Sequence, residues 1–553
     1  GSGISAATYT VTGTNTSTAG GSAGSAQAAG VLFRNTTSLT STTGASSVTG
    51  DTRNTNGYGV MFYPGSSTLD AGSGSLTVGT ASTSVTGIRS GWGGSSTINT
   101  KGNVTLGSKN NDKSDLMIQG VINAQSGALT LLGKSSATNG LSLWDGGGQV
   151  PKVLATNGAS ITMNGESTKA GSFGVILAVA NKAEISSDTG AISITGTSSG
   201  NTGIYTQNNT SITSSNGGNI TLTGNATGSG GGVGLNLTNG SVTTTGQVQL
   251  NGTAVTNIGV INNAAVTGGS VSITGTVSGN AGGVSNSGAV TATAGNVNIT
   301  GSSGGTTSGG GVYSSAAITS NTGDVNVTGT ALVGGGITLQ GTVTAQNNVN
   351  INGTSSDAAS TAQGVVIQNA VKANTGDITV TGNTNSNVQR AVAVTVNGAN
   401  NGSLQTVASG RNININADTL LINTGSTVDS GSAGTVTIKT TSNGGAVSLG
   451  SADTVNSTAS SRVLGLEQGE FDRITAAKLV IGDTTTGGNI AVGAAVTTLD
   501  ATGDLSLLSK ANISINGAFR AGTTGTKKLT LNAAGASSAV TQTASITASG
   551  LEL

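Results

Sequence analysis

One seven-residue phrase recurs along this chain and constrains its fold more than any other feature. It reads GAISITG at Gly190, GNITLTG at Gly218, GSVSITG at Gly269, GNVNITG at Gly295 and GDVNVTG at Gly323. Copies begin at intervals of roughly 27 residues, and fixed periods of this size are typical of repeat architectures. The chain is therefore expected to consist of repeated structural units, with turns that absorb the variation in spacing.

Apolar and polar residues alternate within each copy of the phrase. In GNITLTG, Ile220 and Leu222 should point to one side of a strand, whereas Asn219, Thr221 and Thr223 should point to the other. The reason is that side chains alternate between the two faces of a β-strand. The phrase therefore predicts a β-strand with one buried face and one solvated face.

Each unit contains more than this one strand. Between the copies at Gly295 and Gly323 lie the turn-rich stretch SSGGTTSGG and two further short runs, GVYSS and AAITSNT. Turn residues that separate short β-prone runs indicate about three short strands per unit. Stacking of each strand on its counterpart in the next unit predicts an all-β fold, a parallel β-helix or β-solenoid of roughly twenty turns.

Composition supports an ordered stack and limits its partners. The chain has 93 glycines, 2 prolines, 21 basic and 21 acidic residues among 553. Regular alternation and scarce proline disfavour disorder, because they suit a hydrogen-bonded ladder. Turns stack about 4.8 Å apart, so a charged residue repeated in every turn would lie next to a like charge and be repelled. Ser, Thr and Asn stack without this repulsion.

The balance of charges bears on the partners of the chain. A net charge of zero gives no attraction to nucleic acid, so no nucleic-acid partner is expected.

The polar positions of the phrase are expected to form outward rows along the stack. These positions are Ser193 and Thr195, Thr221 and Thr223, Ser272 and Thr274, Asn298 and Thr300, Asn326 and Thr328, Asn350 and Asn352, and Thr379 and Thr381. Such rows exchange side-chain hydrogen bonds and stay soluble. They resemble the flat hydroxyl arrays of ice-binding β-solenoids, so an ice- or glycan-binding role is an alternative function.

Chemistry-bearing motifs are nearly absent. The chain has no histidine and no cysteine, which removes the commonest acid–base group and thiolate metal ligands. Gly228–Gly234 imitates a phosphate loop but lacks the Lys-Ser/Thr that should follow. We expect no enzyme, no catalytic, cofactor-binding or metal-binding residue, and no cofactor. Trp92 and Trp144 lie in glycine-rich turns, where packing is the commoner role and sugar stacking the alternative.

A more charged segment divides the chain into three predicted regions. We predict β-helix repeats over residues 1–451, an insertion or capping segment over 452–487, and further repeats over 488–553. Leu466, Phe471 and Ile474 are expected to form an apolar stripe on a short helix or turn. The charges are expected to lie on a solvated insertion; they are Arg462, Glu467, Glu470, Asp472, Arg473, Lys478 and Asp483.

The same segment carries a resemblance. LGLEQGEFDRITAAKLVIGD at Leu464–Asp483, followed by GNIAVGAAV, GDLSLLSKANISINGAF and KKLTLNAAG, resembles parts of large bacterial surface and secreted proteins related to filamentous haemagglutinin. The resemblance implies a right-handed parallel β-helix, export by an outer-membrane partner transporter, and a role in adhesion or biofilm structure. The Asn-Pro motifs of that family's secretion domain are not visible, and Pro64 and Pro151 are the only prolines. A self-transporting surface protein is therefore an alternative.

These patterns together predict an extracellular or cell-surface structural and adhesive rod that forms filaments or matrix through many weak contacts. The expected partners are other copies of the chain, glycans or proteins on host or neighbouring cells, and an outer-membrane transporter. The opening GSGISAATYT lacks a signal-peptide pattern. We therefore expect the chain to be processed or cut from something longer.

Overall fold

The chain folds almost entirely into parallel β-strands that stack turn upon turn. The computed structural model describes residues 2–17, 29–91, 96–109, 111–144, 150–177, 182–207, 209–358, 362–398, 400–456 and 458–553. They form a parallel β-solenoid of about 18 turns with roughly 28 residues per turn. Two compact units divide it, the first comprising Gly1–Gly279 and Ser287–Ala289, the second Asn280–Asn286 and Val290–Leu553. The predicted all-β solenoid is confirmed.

Each turn has three strands, as the sequence predicts. A representative turn of unit 1 contains Ile192–Ser198, then Ile204–Thr206, then Thr210–Ser214, before Ile220–Ala226 begins the next turn. Each strand pairs in parallel with its counterpart in the following turn. We call the three stacks the long face, the short face and the third face, in that order along a turn. The repeated phrase forms the long face.

The strands of unit 1 follow this order. The long face contains Thr10–Asn15, Ala45–Thr52, Ala128–Ser135, Ser160–Ser167, Ile192–Ser198, Ile220–Ala226, Gln247–Ala254 and Ser270–Val277. The short face contains Val31–Phe33, Val60–Phe62, Ile88–Ser90, Leu116–Ile118, Leu141–Leu143, Val175–Leu177, Ile204–Thr206, Leu235–Leu237 and Val260–Asn262. The third face contains Ser2–Ala6, Thr37–Ser41, Gly120–Ala124, Lys152–Ala155, Glu184–Ser187, Thr210–Ser214, Gly240–Thr244 and Ala265–Gly268. Two longer strands, Gly65–Thr80 and Ser96–Gly107, continue from the third face into the long face.

The strands of unit 2 begin in the same order. Its long face contains Val297–Ser303, Val325–Ala331, Val349–Ser355, Ile378–Thr384, Ile413–Ala417, Thr435–Lys439, Thr502–Ser509, Lys528–Ala533 and Gly550–Glu552. A longer strand, Ile474–Asp483, continues from the third face into the long face. Its short face contains Val284–Asn286, Val312–Ser314, Ile337–Leu339, Val365–Ile367, Val392–Val394 and Leu420–Ile422. Its third face contains Val290–Ala292, Ile318–Ser320, Val343–Ala345, Ala370–Ala373, Ser403–Thr406 and Thr427–Asp429.

After Leu420–Ile422 the short face of unit 2 changes. A separate five-stranded sheet follows, made of Val463–Leu466, Ala446–Leu449, Ile490–Val492, Ile513–Ile515 and Val540–Gln542 in spatial order. A three-stranded sheet contains Val496–Thr497, Phe519–Arg520 and Ile546–Thr547. The remaining elements are an antiparallel pair, Val396–Asn397 with Asn400–Asn401, a 3₁₀ turn at Ala459–Ser461, and a helix at Gln468–Phe471.

Aliphatic side chains fill the interior of the solenoid in columns. Ile194, Leu222 and Leu250 occupy equivalent positions in three successive turns and are fully buried. In unit 2, Val325 and Val349 continue such a column in register. Because each turn adds similar residues at the same places, the core grows with the number of turns while its cross-section stays narrow.

The glycine that ends the phrase has a steric role. Gly196 and Gly224 occupy inward positions where the long face bends towards the short face. A Cβ atom on Gly224 would overlap the carbonyl oxygen of Gly234, and one on Gly196 would overlap that of Gly203. Strands of two faces therefore approach closely at this corner, and only glycine leaves room for the opposing backbone.

Hydroxyl groups complete the hydrogen bonding at the other inward corner positions. The Thr244 hydroxyl donates to the Gly218 carbonyl at 2.6 Å and accepts the backbone N–H of Gly246 at 2.9 Å. Ser198 does the same at the end of the long face, donating to the Ser172 carbonyl at 2.8 Å. Buried serine and threonine thus satisfy backbone groups where the chain leaves a strand.

Substitution of Gly224 by alanine should destabilise its turn and the two beside it. The added methyl group forces the long-face strand away from Gly234, which costs about 2 kcal/mol or more, the scale of an overpacked core. Hydrogen-exchange mass spectrometry should show faster exchange across residues 192–262. The control is Thr223→Ala, which removes an outward side chain and should change local opening by less than about 0.5 kcal/mol. Equal effects of both variants would contradict the steric role of Gly224.

Candidate functional site

The outward side of the long face presents ordered rows of polar side chains. In unit 1, pairing places Ser193, Thr221, Gln249 and Ser272 at equivalent positions of successive strands. These side chains are all half-buried between their neighbours. A parallel row contains Thr195, Thr223, Asn251 and Thr274. The predicted outward rows are therefore present.

Asparagines in unit 2 bond along their row. The Asn326 side-chain amide donates to the Asn298 side-chain oxygen at 2.8 Å, and the Asn350 amide donates to Asn326 at 2.9 Å. Each bond joins neighbouring turns, so the row reinforces the backbone ladder beneath it. These three asparagines consequently use part of their hydrogen-bonding capacity within the protein.

The same row continues into a depression of about 620 Å³ on the long face of unit 2. Its lining residues are Thr379, Thr381, Asn383, Asn414, Asn416, Thr437, Lys439, Thr440, Thr441 and Thr486. Every one of them carries a hydroxyl, an amide or an ammonium group. We call this feature the long-face depression. A smaller depression of about 200 Å³ lies on the long face of unit 1, and Leu132 is among its lining residues.

The depression exists because one strand is short. Ile378–Thr384 has 7 residues, whereas the following strand Ile413–Ala417 has 5. Ala417 pairs with Gly382, after which Asp418 turns inward and accepts the Ser442 N–H at 2.8 Å. No outward side chain of that turn therefore lies beside Asn383, and a hollow is left in the surface.

An ion pair closes one side of the depression. Lys439 Nζ lies 3.2 Å from Asp483 Oδ2. The hydroxyl of Thr485 donates to Asp483, and this bond, with backbone N–H donors and Lys439, lowers the carboxyl pKa. Asp483 is therefore ionised at neutral pH, and the charge of Lys439 is balanced within the protein.

The charged segment contradicts one expectation. Arg462 and Glu470 are buried, and the Asp453 side chain is only 1% exposed, so a uniformly solvated insertion is wrong. Asp472 and Lys478 do lie at the surface. The sequence alone does not show which of these charges are buried, because a buried charge needs partners that come from other turns.

The apolar residues of the segment are buried, but they do not share one helix. Phe471 ends the helix Gln468–Phe471, whereas Leu466 and Ile474 belong to strands on either side of it. Glu467 and Glu470 form a capping box that holds the first turn of this short helix. The expected stripe is therefore a buried cluster drawn from three elements.

Two carboxylates of this segment replace a neighbouring strand. Asp453 accepts the backbone N–H groups of Leu420 at 3.0 Å and of Gly465 at 2.8 Å. Glu470 accepts the N–H of Ile422 at 2.9 Å. The edge of Leu420–Ile422 thus receives side-chain acceptors where another turn would supply carbonyl oxygens. We call this contact the carboxylate seam.

Arginines complete the seam. Arg390 Nε donates to Asp453 at 2.7 Å, and Arg473 Nη1 donates to the carbonyl oxygen of Ile422 at 2.9 Å. Arg462 Nη1 lies 3.7 Å from Asp418 Oδ2. Burial raises the pKa of Asp453 to about 7, against the opposing effect of Gly465 N–H and Arg390. Burial also raises the pKa of Glu470.

The remaining candidates take no part in a common site. Trp92 lies outside the described residues, and Trp144 is half-buried, with its backbone N–H bonded to the Ile118 carbonyl at 2.8 Å. Among the described residues no group of three or more acidic side chains is placed to hold a metal ion. In the same part of the chain, no helix is long and apolar enough to cross a membrane.

The comparisons with known proteins found no match. No family model, no curated protein and no solved structure matches the chain. The site must therefore be interpreted from its own geometry. Sequence reasoning missed Asn414, Asn416, Thr437 and Lys439, and the available signal was the replacement of the phrase glycine by Ala417.

The carboxylate seam should become less stable as the pH rises from about 4 to about 7. Folding raises the pKa of Asp453, so the folded state binds its proton more tightly than the unfolded state does. The stabilisation is complete below the unfolded pKa and is lost as the pH passes the folded value. Between pH 5 and 7.5, opening around Leu420–Ile422 should become easier by roughly 2 kcal/mol.

Hydrogen exchange, corrected for the intrinsic pH dependence of amide exchange, measures this opening. The Asp453→Asn variant should lose the part of the pH dependence that Asp453 contributes, because its side chain stays neutral throughout, whereas Glu470, whose pKa burial also raises, keeps its own part. Asp472→Asn, on the exposed side of the helix, should keep it. A wild-type opening free energy that is constant between pH 5 and 7.5 would contradict the burial of an ionisable Asp453.

Proposed function

We propose that this protein is a structural and adhesive β-solenoid displayed on, or secreted from, a bacterial cell. The observation that carries the proposal is the repetition of polar rows on the long face over successive turns. Ser193, Thr221 and their equivalents offer the same hydroxyl and amide groups turn after turn. A surface of this kind makes many weak contacts whose strengths combine when several engage at once.

The architecture suits display because its stabilising contacts lie within the solenoid itself. Within each unit, backbone pairing joins successive turns, and the aliphatic columns bury the interior. The outward residues are consequently free to vary without loss of the core. Adhesion, biofilm or matrix formation uses such a scaffold for length and for repeated contacts.

The resemblance to filamentous haemagglutinin-like proteins supports an extracellular or cell-surface location. It rests on Leu464–Asp483 and the repeats that follow. On this proposal an outer-membrane transporter exports the chain. Its partners are surface glycans or proteins of host or neighbouring cells, and other copies of the chain within a matrix. No chemical step is assigned to it.

If adhesion uses many weak contacts, the retention of coated beads on cells should depend steeply on the density of the protein on the bead. Beads densely coated with the protein should be retained on bacterial or host cells under flow, and beads with a tenfold lower coating should detach. The soluble protein should compete poorly, because a single copy engages few contacts. The control is a bead coated with serum albumin. Absence of retention at every density, or full competition by low-micromolar soluble protein, would contradict the proposal.

Ice binding is the second candidate, and the regular register of the long face favours it. Thr195 and Thr223 stand directly beside each other on consecutive strands, as a flat hydroxyl array requires. Gln249 and Asn251 interrupt the array in the next turn.

A thermal hysteresis measurement tests ice binding. A freezing-point gap that grows with protein concentration and disappears in Thr195→Leu/Thr223→Leu supports the candidate. The Thr10→Leu variant, outside this array, is the control. No gap at millimolar protein would remove ice binding from consideration.

A further inference from the structure

We propose that the long-face depression of unit 2 binds a linear neutral polysaccharide, laid across the strands so that successive sugar rings meet successive turns. This inference rests on the proposed adhesive function and names the ligand class of one part of the long face. Its basis is the contrast between the depression and the rest of the same polar row.

Upstream of the depression, the row bonds to itself. Asn350 donates to Asn326, and Asn326 donates to Asn298, so these amides bridge neighbouring turns. Thr379 and Asn414 continue the row in register. Within the described residues, the structure gives the side chains of Thr379, Asn414 and Thr437 no intramolecular hydrogen-bond partner. Because these residues line the hollow, their donors and acceptors are available to a ligand that occupies it.

The shape of the depression favours an extended ligand. Its floor comes from three successive strands, Ile378–Thr384, Ile413–Ala417 and Thr435–Lys439. Thr440, Thr441 and Thr486, from the turns after these strands, complete the lining. Parallel strands lie about 4.8 Å apart, a spacing close to the length of one sugar ring in an extended chain. A ligand that crosses all three strands therefore meets a new set of hydroxyl and amide groups at every ring.

The charge of the depression selects a neutral ligand. Among the described residues that line it, Lys439 is the only charged one, and it is paired with Asp483 at 3.2 Å. An anionic polymer would have to compete with Asp483 for that ammonium group, and a cationic one would meet no free carboxylate. Sugar hydroxyls need neither, because each donates and accepts hydrogen bonds as the water they displace does.

Binding at a single depression should be weak. None of the described residues that line the depression is aromatic, so they offer no ring on which a sugar could stack. The remaining hydrogen bonds contribute only about 0.5–1.5 kcal/mol each. Weak binding at one site agrees with an adhesive that depends on many copies.

A glycan array tests the inference. It is printed with linear neutral hexasaccharides of glucose, mannose, xylose and galactose, together with uronic-acid and sulfated hexasaccharides. The intact protein should bind at least one neutral series and prefer it over the acidic ones. Titration calorimetry with that hexasaccharide should then show at least about fivefold weaker binding by Asn414→Ala/Thr437→Ala, as expected when two hydrogen bonds are lost. The matched control, Thr213→Ala/Thr243→Ala, removes two neighbouring outward hydroxyls from the third face of unit 1 and should alter binding by less than twofold.

Several results would overturn the inference: no binding to any neutral glycan, stronger binding to the acidic ones, or equal losses in the two double variants. The bead assay keeps this outcome separate from the proposed function. Retention on cells that is unaffected by Asn414→Ala/Thr437→Ala, without neutral glycan binding, would reject the glycan site and leave adhesion standing. Glycan binding without retention on any cell would reject adhesion and leave the site standing.

Discussion

Backbone pairing between successive turns is the constraint on which the rest of this structure depends. Each strand must stay in parallel register with those of the turns beside it, so equivalent positions recur at one strand spacing. A side chain at such a position therefore lies beside a side chain of the same kind in the next turn and must pack against it without repulsion. Branched aliphatic residues do so inside the solenoid, and Ser, Thr and Asn do so outside. The low charge of the chain and its repeated phrase are consequences of the same requirement.

The carboxylate seam shows what happens where the register cannot continue. The short-face sheet ends at Leu420–Ile422, and the backbone donors at that edge still need acceptors. Asp453 and Glu470 supply them, and Arg390 offsets their buried charge, while Arg473 donates to the carbonyl oxygen of Ile422. Such an arrangement costs desolvation, which the raised pKa of Asp453 reflects. It allows the segment to enter the solenoid without leaving an unpaired strand edge.

Most of the fold could be predicted from the sequence, because the solenoid repeats local information. The alternation of Ile220, Thr221 and Leu222 identifies the long face, and the turn-rich stretches between phrases identify three strands per turn. The pairing of strands between successive turns then follows from the length of the repeat. The seam and the depression could not be predicted in this way, since both depend on residues far apart in the chain. Asp453 meets Arg390 and Leu420 only after an irregular turn is folded. The depression depends on one strand ending two residues before its neighbour, and the sequence marks this only by Ala417 in place of the phrase glycine.

The two irregular features show how a repetitive surface acquires a distinct site. In a perfect stack, every outward amide can bond to its copy in the next turn, as Asn298, Asn326 and Asn350 do. Such a row offers a ligand the same weak contacts at every turn, so no single turn binds it more tightly than the others. When Ile413–Ala417 ends early, a depression opens that Thr440 and Thr486 also line. Asn414 and Thr437 then line an open hollow, while Asn416 in the parallel row still donates to Thr381. In a solenoid, a site with its own specificity therefore arises where an irregular turn interrupts the repeat. Avidity, the combined strength of many weak contacts, arises where the turns repeat regularly.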